Sequence, residues 1–243
     1  MTVHLKVETI SKTFSEKLKQ AFGNELVSVI LYGSATTDDY NPQKSDHNFL
    51  VVLTPKGIQD IKKIQSSVRS WKRNRILFPL FMTREYIHSS LDSFPIEFFN
   101  IKQAYQVIFG EDVLANMEIK KKDIRIQCER ELKGKLLHLR QDYILTQGKS
   151  GLIRRLIGQS IMTFASIFRA LLFMKNIPIQ QNLEAIIKET CGEFHLDLAL
   201  FQNLLAIRQK GITYTKFELE HFMQRYILEI DRLCKDVDQF KTN

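Results

Sequence analysis

The hydrophobic period of this chain changes once along its length, and that change limits the folds open to it. In the first half the apolar residues come mostly in short runs broken by turn formers. Val27-Ser-Val-Ile-Leu-Tyr32 and Phe49-Leu-Val-Val-Leu53, the latter closed by Thr54-Pro55, read as buried strands. Phe78-Pro-Leu-Phe-Met82 reads as a third strand and the region from Phe94 to Val107 as a fourth. Helical spacing separates them. Ile10, Phe14, Leu18 and Phe22 lie four apart before a stop at Gly23, residues 57–75 carry Ile58, Ile61, Ile64, Val68 and Trp71 on one side, and 84–91 reads as a short helix. Beyond residue 115 the period is three and four throughout. It runs through Ile124, Cys128, Leu132, Leu136, Leu139 and Tyr143, and again through Phe222, Tyr226, Ile230 and Leu233. Segment 152–174 is apolar nearly all round, as the central helix of a bundle is, and 182–193 and 198–208 read as shorter helices. The expected fold class is therefore α+β: a mixed β-sheet with flanking helices over 1–115, then a helical bundle over 116–243 with no strand between 118 and 238.

Composition excludes several classes. With 44% hydrophobic residues, 10 glycines and 5 prolines in 243 positions, the chain is neither disordered nor fibrous. Cys128, Cys191 and Cys234 are odd in number and far apart, which fits neither a disulfide framework nor a zinc site and points to a reducing, cytoplasmic setting. No signal-like segment opens the sequence, and the apolar stretch Ile161–Met174 is short and interrupted by Arg169, so a soluble protein without a membrane role is expected. Charge is unevenly placed. Residues 116–175 hold 13 Lys+Arg against five acids, which accounts for the whole formal net charge of +8. Such a region is either a solvated helix surface or a basic wall facing nucleotide phosphates or nucleic acid.

The residues suited to chemistry cluster early. The first strand runs straight into Gly33-Ser34, where glycine permits close approach to a ligand and serine adds a hydroxyl. Twelve residues later comes Ser45-Asp46-His47-Asn48, immediately before the second strand. Strand alternation puts residues 46 and 48 on one face and His47 on the other, so His47 reads as a packing or surface residue. Glu97, in Phe94-Pro-Ile-Glu-Phe-Phe-Asn-Ile101, is the lone acid of an apolar run, a costly group to bury without a cation or hydrogen bonds. Asp38 and Asp39 occupy the loop before the motif.

Strand, Gly33-Ser34, then an acid two residues before a second motif position at the start of the next strand, with Glu97 further on, resembles the DNA-polymerase-β-like nucleotidyltransferase superfamily. The helical second half resembles the domain behind the catalytic unit in kanamycin-nucleotidyltransferase-like and minimal nucleotidyltransferases. The resemblance implies transfer of a nucleoside monophosphate from a nucleoside triphosphate to a hydroxyl acceptor, with pyrophosphate released. It assigns Gly33 and Ser34 to the triphosphate, and Asp46, Asn48 and Glu97 to Mg²⁺. Lys133 and Arg140 are candidate phosphate-binding cations from the basic region, with the acceptor expected in a cleft between the two halves. One position departs from the pattern. The second motif aspartate is Asn48 here, and an amide neutralises none of the charge of Mg²⁺. Two readings follow: an enzyme of impaired activity, or a degenerate relative that binds nucleotide or a partner without turnover. A nucleic-acid-binding module is a third, less favoured. Neither the acceptor, the base preference nor the oligomeric state is encoded legibly, and no ribonuclease-type Arg-His pair of the required spacing occurs in the second half.

Overall fold

The computed structural model describes residues 3–37, 40, 45–180, 182–209 and 213–240. The chain divides into two compact units, Met1–Ile119 and Lys120–Asn243.

The first unit is built on a four-stranded mixed sheet. Its strands are β1 (Leu26–Tyr32), β2 (Asn48–Leu53), β3 (Leu80–Met82) and β4 (Tyr105–Gly110), in the order β3-β2-β1-β4. β1 is antiparallel to both β2 and β4, whereas β2 and β3 are parallel. The two runs expected to be neighbouring strands are so paired, with Leu31 opposite Phe49 and Tyr32 opposite Asn48. Both strands are apolar on both faces because both faces are covered. On one side Val29, Leu31, Phe49, Val51 and Leu53 pack with Phe14 and Leu18 of helix α1 (Val3–Phe22) and with Trp71. On the other, Ile30, Leu50 and Val52 meet Ile87, Phe98, Ile101, Leu114 and Met117. By alternation Asn48 shares the second face with Leu50 and Val52.

The connection after β2 is less regular than the single helix expected over 57–75. It comprises α2 (Pro55–Gln59), a 3₁₀ stretch (Ile61–Ser67) and α3 (Val68–Arg73). Thr54 caps α2 by accepting from the Gly57 N–H at 3.2 Å, with Pro55 at the first helical position, where its missing N–H costs nothing. The short helix expected at 84–91 is α4 (Arg84–Ser89).

The segment carrying Glu97 corrects the sequence reading. It is not strand but helix, α5 (Pro95–Gln103), and the fourth strand begins only at Tyr105. The run 94–101 is too uniformly apolar for periodicity to separate strand from buried helix. Local chemistry decides it. Pro95 is tolerated at the helix start, Glu97 in the first turn complements the helix dipole, and Pro95, Ile96, Phe98, Phe99 and Ile101 are buried.

The second unit is all helical among its described residues: α6 (Lys121–Leu145), α7 (Ser150–Met174), α8 (Leu183–Glu193), α9 (Leu198–Gln209) and α10 (Lys216–Gln239). α7 packs against the other four. By length and composition alone α7 could cross a membrane, with mean hydropathy 1.6 over its most apolar window, but half of that window is buried inside the bundle. Phe164 and Phe168 of α7, Phe201 of α9 and Tyr226 of α10 form a ring cluster with centroids 5.8–6.1 Å apart. Thr215 and Glu218 cap α10 reciprocally.

Gly110 gives a direct check on the pairing of β1 with β4. Its φ is +80°, and a Cβ there would stand 2.0 Å from the Val27 carbonyl oxygen. Backbone cannot yield to that contact without parting the strands. Gly110→Ala should therefore destabilise the first unit by about 2–4 kcal/mol in urea unfolding, combining left-handed strain with lost pairing.

Candidate functional site

The site starts where β1 ends. Tyr32 is still extended, and the chain then enters a 3₁₀ turn, Gly33–Thr36. Gly33 has φ +80°, a conformation that favours glycine. Its N–H donates to the Ala104 carbonyl at the end of α5 (2.8 Å), and Thr36 Oγ1 donates back to the Gly33 carbonyl (2.8 Å). A Cβ on residue 33 would lie 3.3 Å from Asn48 Nδ2. The turn after β1 and the motif opening β2 are thus in contact, as the Tyr32–Asn48 register requires. Ser34 is exposed beside them.

Asp46 does not stand open as a ligand. Arg75 Nε donates to its Oδ1 at 3.1 Å, and both side chains are about one-third exposed, at 38% for Arg75 and 32% for Asp46. Arg75 reaches this position by backbone pairing. Its carbonyl accepts the His47 N–H at 2.9 Å, Ile76 bridges His47 in parallel register, and Arg75 itself sits at φ +55°. The next residues diverge from the ladder, with Phe78 at φ +33° and 82% exposed, before β3 resumes the pairing at Leu80. Sequence reasoning passed over Arg75. The signal available was the basic cluster Lys72-Arg73-Asn74-Arg75 leading into a strand.

His47 is buried next to this pair rather than exposed beside it. It is 2% exposed and its Nε2 lies 3.1 Å from Tyr40 Oη. Burial pushes its pKa down, because desolvation penalises the imidazolium. In the unfolded chain the ordinary value, 6.5, applies. The neutral buried imidazole therefore costs nothing above that value, and stability is lost as pH falls from it toward the lower folded value. The urea midpoint should be lower at about pH 5.5 than at about pH 7.5, and His47→Gln should shrink that difference.

The remaining candidates are placed as follows. Asn48 opens β2, on the same sheet face as α5. Glu97 is exposed in the first turn of α5. Its Cα is roughly 10 Å along the helix from the Ala104 end that bonds Gly33. Lys133 pairs with Glu129 (2.6 Å) and Asp238 (3.5 Å), and Arg140 pairs with Asp231 (2.7 Å), all within the helical unit. Asp38 and Asp39 lie outside the described residues. The Mg²⁺ that the fold family implies does not find a fitting set among the described residues. Mg²⁺ wants several oxygen ligands in near-octahedral array. Asp46 is held by a guanidinium and Asn48 is a neutral amide. β3, the other neighbour of β2, offers only Leu80, Phe81 and Met82. No three His, Cys, Asp or Glu side chains come together among the described residues.

No protein-family model matches the chain, and no curated protein matches it in sequence. Among solved structures it is similar to spectinomycin adenyltransferase AAD(9) from Enterococcus faecialis, solved with ATP and spectinomycin. The TM-score is 0.58 over 96% of this chain and 99% of that one, at 14% identity. The fold is that of a nucleotidyltransferase. At this identity the likeness extends to the nucleotidyltransferase fold and not to substrate, and it covers nearly the whole length, including the helical part.

Proposed function

We propose that the chain binds a nucleoside triphosphate at the Gly33-Ser34 turn and that its nucleotidyl transfer to a hydroxyl acceptor is weak or lost. The turn supports the first half of this reading. It is a glycine-led bend with an exposed serine hydroxyl, fixed against Asn48 and Ala104 at the end of a central strand. The similar adenyltransferase structure holds ATP and spectinomycin, which supports a triphosphate donor and a hydroxyl-bearing acceptor here.

The Asp46–Arg75 ion pair carries the second half. In the superfamily that this chain resembles, metal at the two motif positions clamps the triphosphate and activates the acceptor. Here one position is engaged by a guanidinium and the other is an amide. Phosphoryl transfer depends mainly on positioned positive charge, and removing one preorganised group of that kind typically costs about 10²–10³ in rate. Glu97 is left out of the catalytic set because of its place on α5. Lys133 and Arg140 are left out because each already has a carboxylate partner. Of the basic residues in 116–175, Arg125, Lys133, Lys135, Arg140 and Lys175 pair with acids of the same unit, which lowers the positive field that part of the region presents.

The test is pyrophosphate release from each nucleoside triphosphate in the presence of Mg²⁺. The parent chain is expected near the background set by Asp46→Ala. Asn48→Asp should raise release, and more so when combined with Arg75→Ala, by up to about 10²-fold. Robust parent turnover that Asp46→Ala abolishes would establish an active transferase instead.

A further inference from the structure

We infer that Phe78 is the surface on which the base of the bound nucleotide stacks. The inference rests on the nucleotide-binding reading above and goes further by naming what holds the part of the ligand beyond its phosphates. It starts from a register mismatch beside the motif strand. His47 bridges Ile76 in parallel, and β2 and β3 pair again at Leu50 and Leu80. Between those two points one strand advances three residues and the other four, so a one-residue bulge lies opposite Asn48 and Phe49. Its residues are Leu77, Phe78 and Pro79. Pro79 has no N–H to give to a ladder and is tolerated where the ladder is interrupted. Ile76 on one side of the bulge is buried, and Leu80 on the other packs against the cluster of Ile30, Leu50 and Val52. The bulge is therefore fixed at both ends.

The second observation is what the bulge displays. Phe78 is 82% exposed, the most exposed large apolar side chain among the described residues, and Leu77 beside it is also exposed. The φ of Phe78 is +33°, a conformation that a bulky residue adopts only at a cost. Glycine would fill that position with less strain and would leave no ring in water.

The third observation is place. Asn48 pairs with Tyr32, and its side chain borders Gly33. The bulge lies across β2 from that turn, two strand spacings or about 10 Å away. A triphosphate seated at Gly33-Ser34 and carried across the opening of β2 brings its base to the Phe78 ring. An exposed ring offers a base a flat apolar face, and such stacking makes little demand on base identity, since every base has a π-face. Phe78 then supplies affinity without choosing among bases, while Gly33 and Ser34 meet the phosphates.

The experiment is isothermal titration of the full-length protein with ATP, GTP, CTP, UTP and inorganic tripolyphosphate, in the parent and in Phe78→Gly, Phe78→Leu and Phe78→Tyr. The parent is expected to bind nucleotides more tightly than tripolyphosphate, which has no base. Phe78→Gly and Phe78→Leu should each weaken nucleotide binding about fivefold or more and leave tripolyphosphate unchanged, whereas Phe78→Tyr, which keeps the ring, should stay close to the parent. Urea unfolding separates a ligand role from a structural one. Phe78→Gly relieves the left-handed strain, so its midpoint should be no lower than the parent's. A lowered midpoint shows a ring that serves the fold and overturns the inference. Nucleotide affinity untouched by Phe78→Leu also overturns it, as does an equal loss for tripolyphosphate or a loss that Phe78→Tyr shares, and each of these leaves the triphosphate site intact. If tripolyphosphate binds the parent too weakly to measure, the contrast between Phe78→Leu and Phe78→Tyr decides. Absence of binding by the parent to all five ligands overturns the nucleotide reading itself.

Discussion

β1 is hydrogen-bonded on both sides and covered on both faces, and the first unit depends on that. Val29, Ile30 and Leu31 are at most 1% exposed, with β2 on one edge and β4 on the other. A strand held this way has no freedom to shift register, because a slip of one residue would exchange its two buried faces. Its end is therefore a fixed point. Gly33 follows at once, its N–H bonded to the Ala104 carbonyl and the space a Cβ would take bordered by the Asn48 side chain. The close approach at Gly110 on the β4 side shows the same tightness at the other end of the strand.

That fixed point makes the site's electrostatics informative. The scaffold brings the Gly33 turn and the opening of β2 together, and the polar groups there are of mixed charge. One acid keeps its place but faces a guanidinium, and the other motif position is an amide. The strand beside β2 presents Leu80, Phe81 and Met82.

The helical unit is governed by a different constraint. α7 buries Ile153, Ile157, Ile161, Phe164, Phe168 and Leu171 among four neighbouring helices and leaves Arg155, Gln159 and Thr163 exposed. Several charged residues around it are paired at short range. Arg125 and Lys133 share Glu129, and Arg140 and Lys235 share Asp231. The basic surplus that looked like a phosphate-facing wall is to that extent a surface of paired charges, each worth little to stability on its own.

Local pattern alone determined the two central strands, the Gly33-Ser34 bend, the opposite facing of His47 and Asn48, and the helical second half. Each of these follows from spacing or turn chemistry within a few residues, and these interactions survive whatever the rest of the chain does. Only tertiary structure decided three things. The run around Glu97 became helix α5, since a continuous apolar run fits either period until a sheet face is there to cover. β4 joined β1 on the edge away from β2, which left β3, with no acid, as the neighbour of the motif strand. Arg75 came to Asp46 across 29 residues, through a parallel pairing that no local period records. Contacts between distant segments depend on which surfaces remain to be buried once the local elements exist, and a single sequence does not write that down in its spacing.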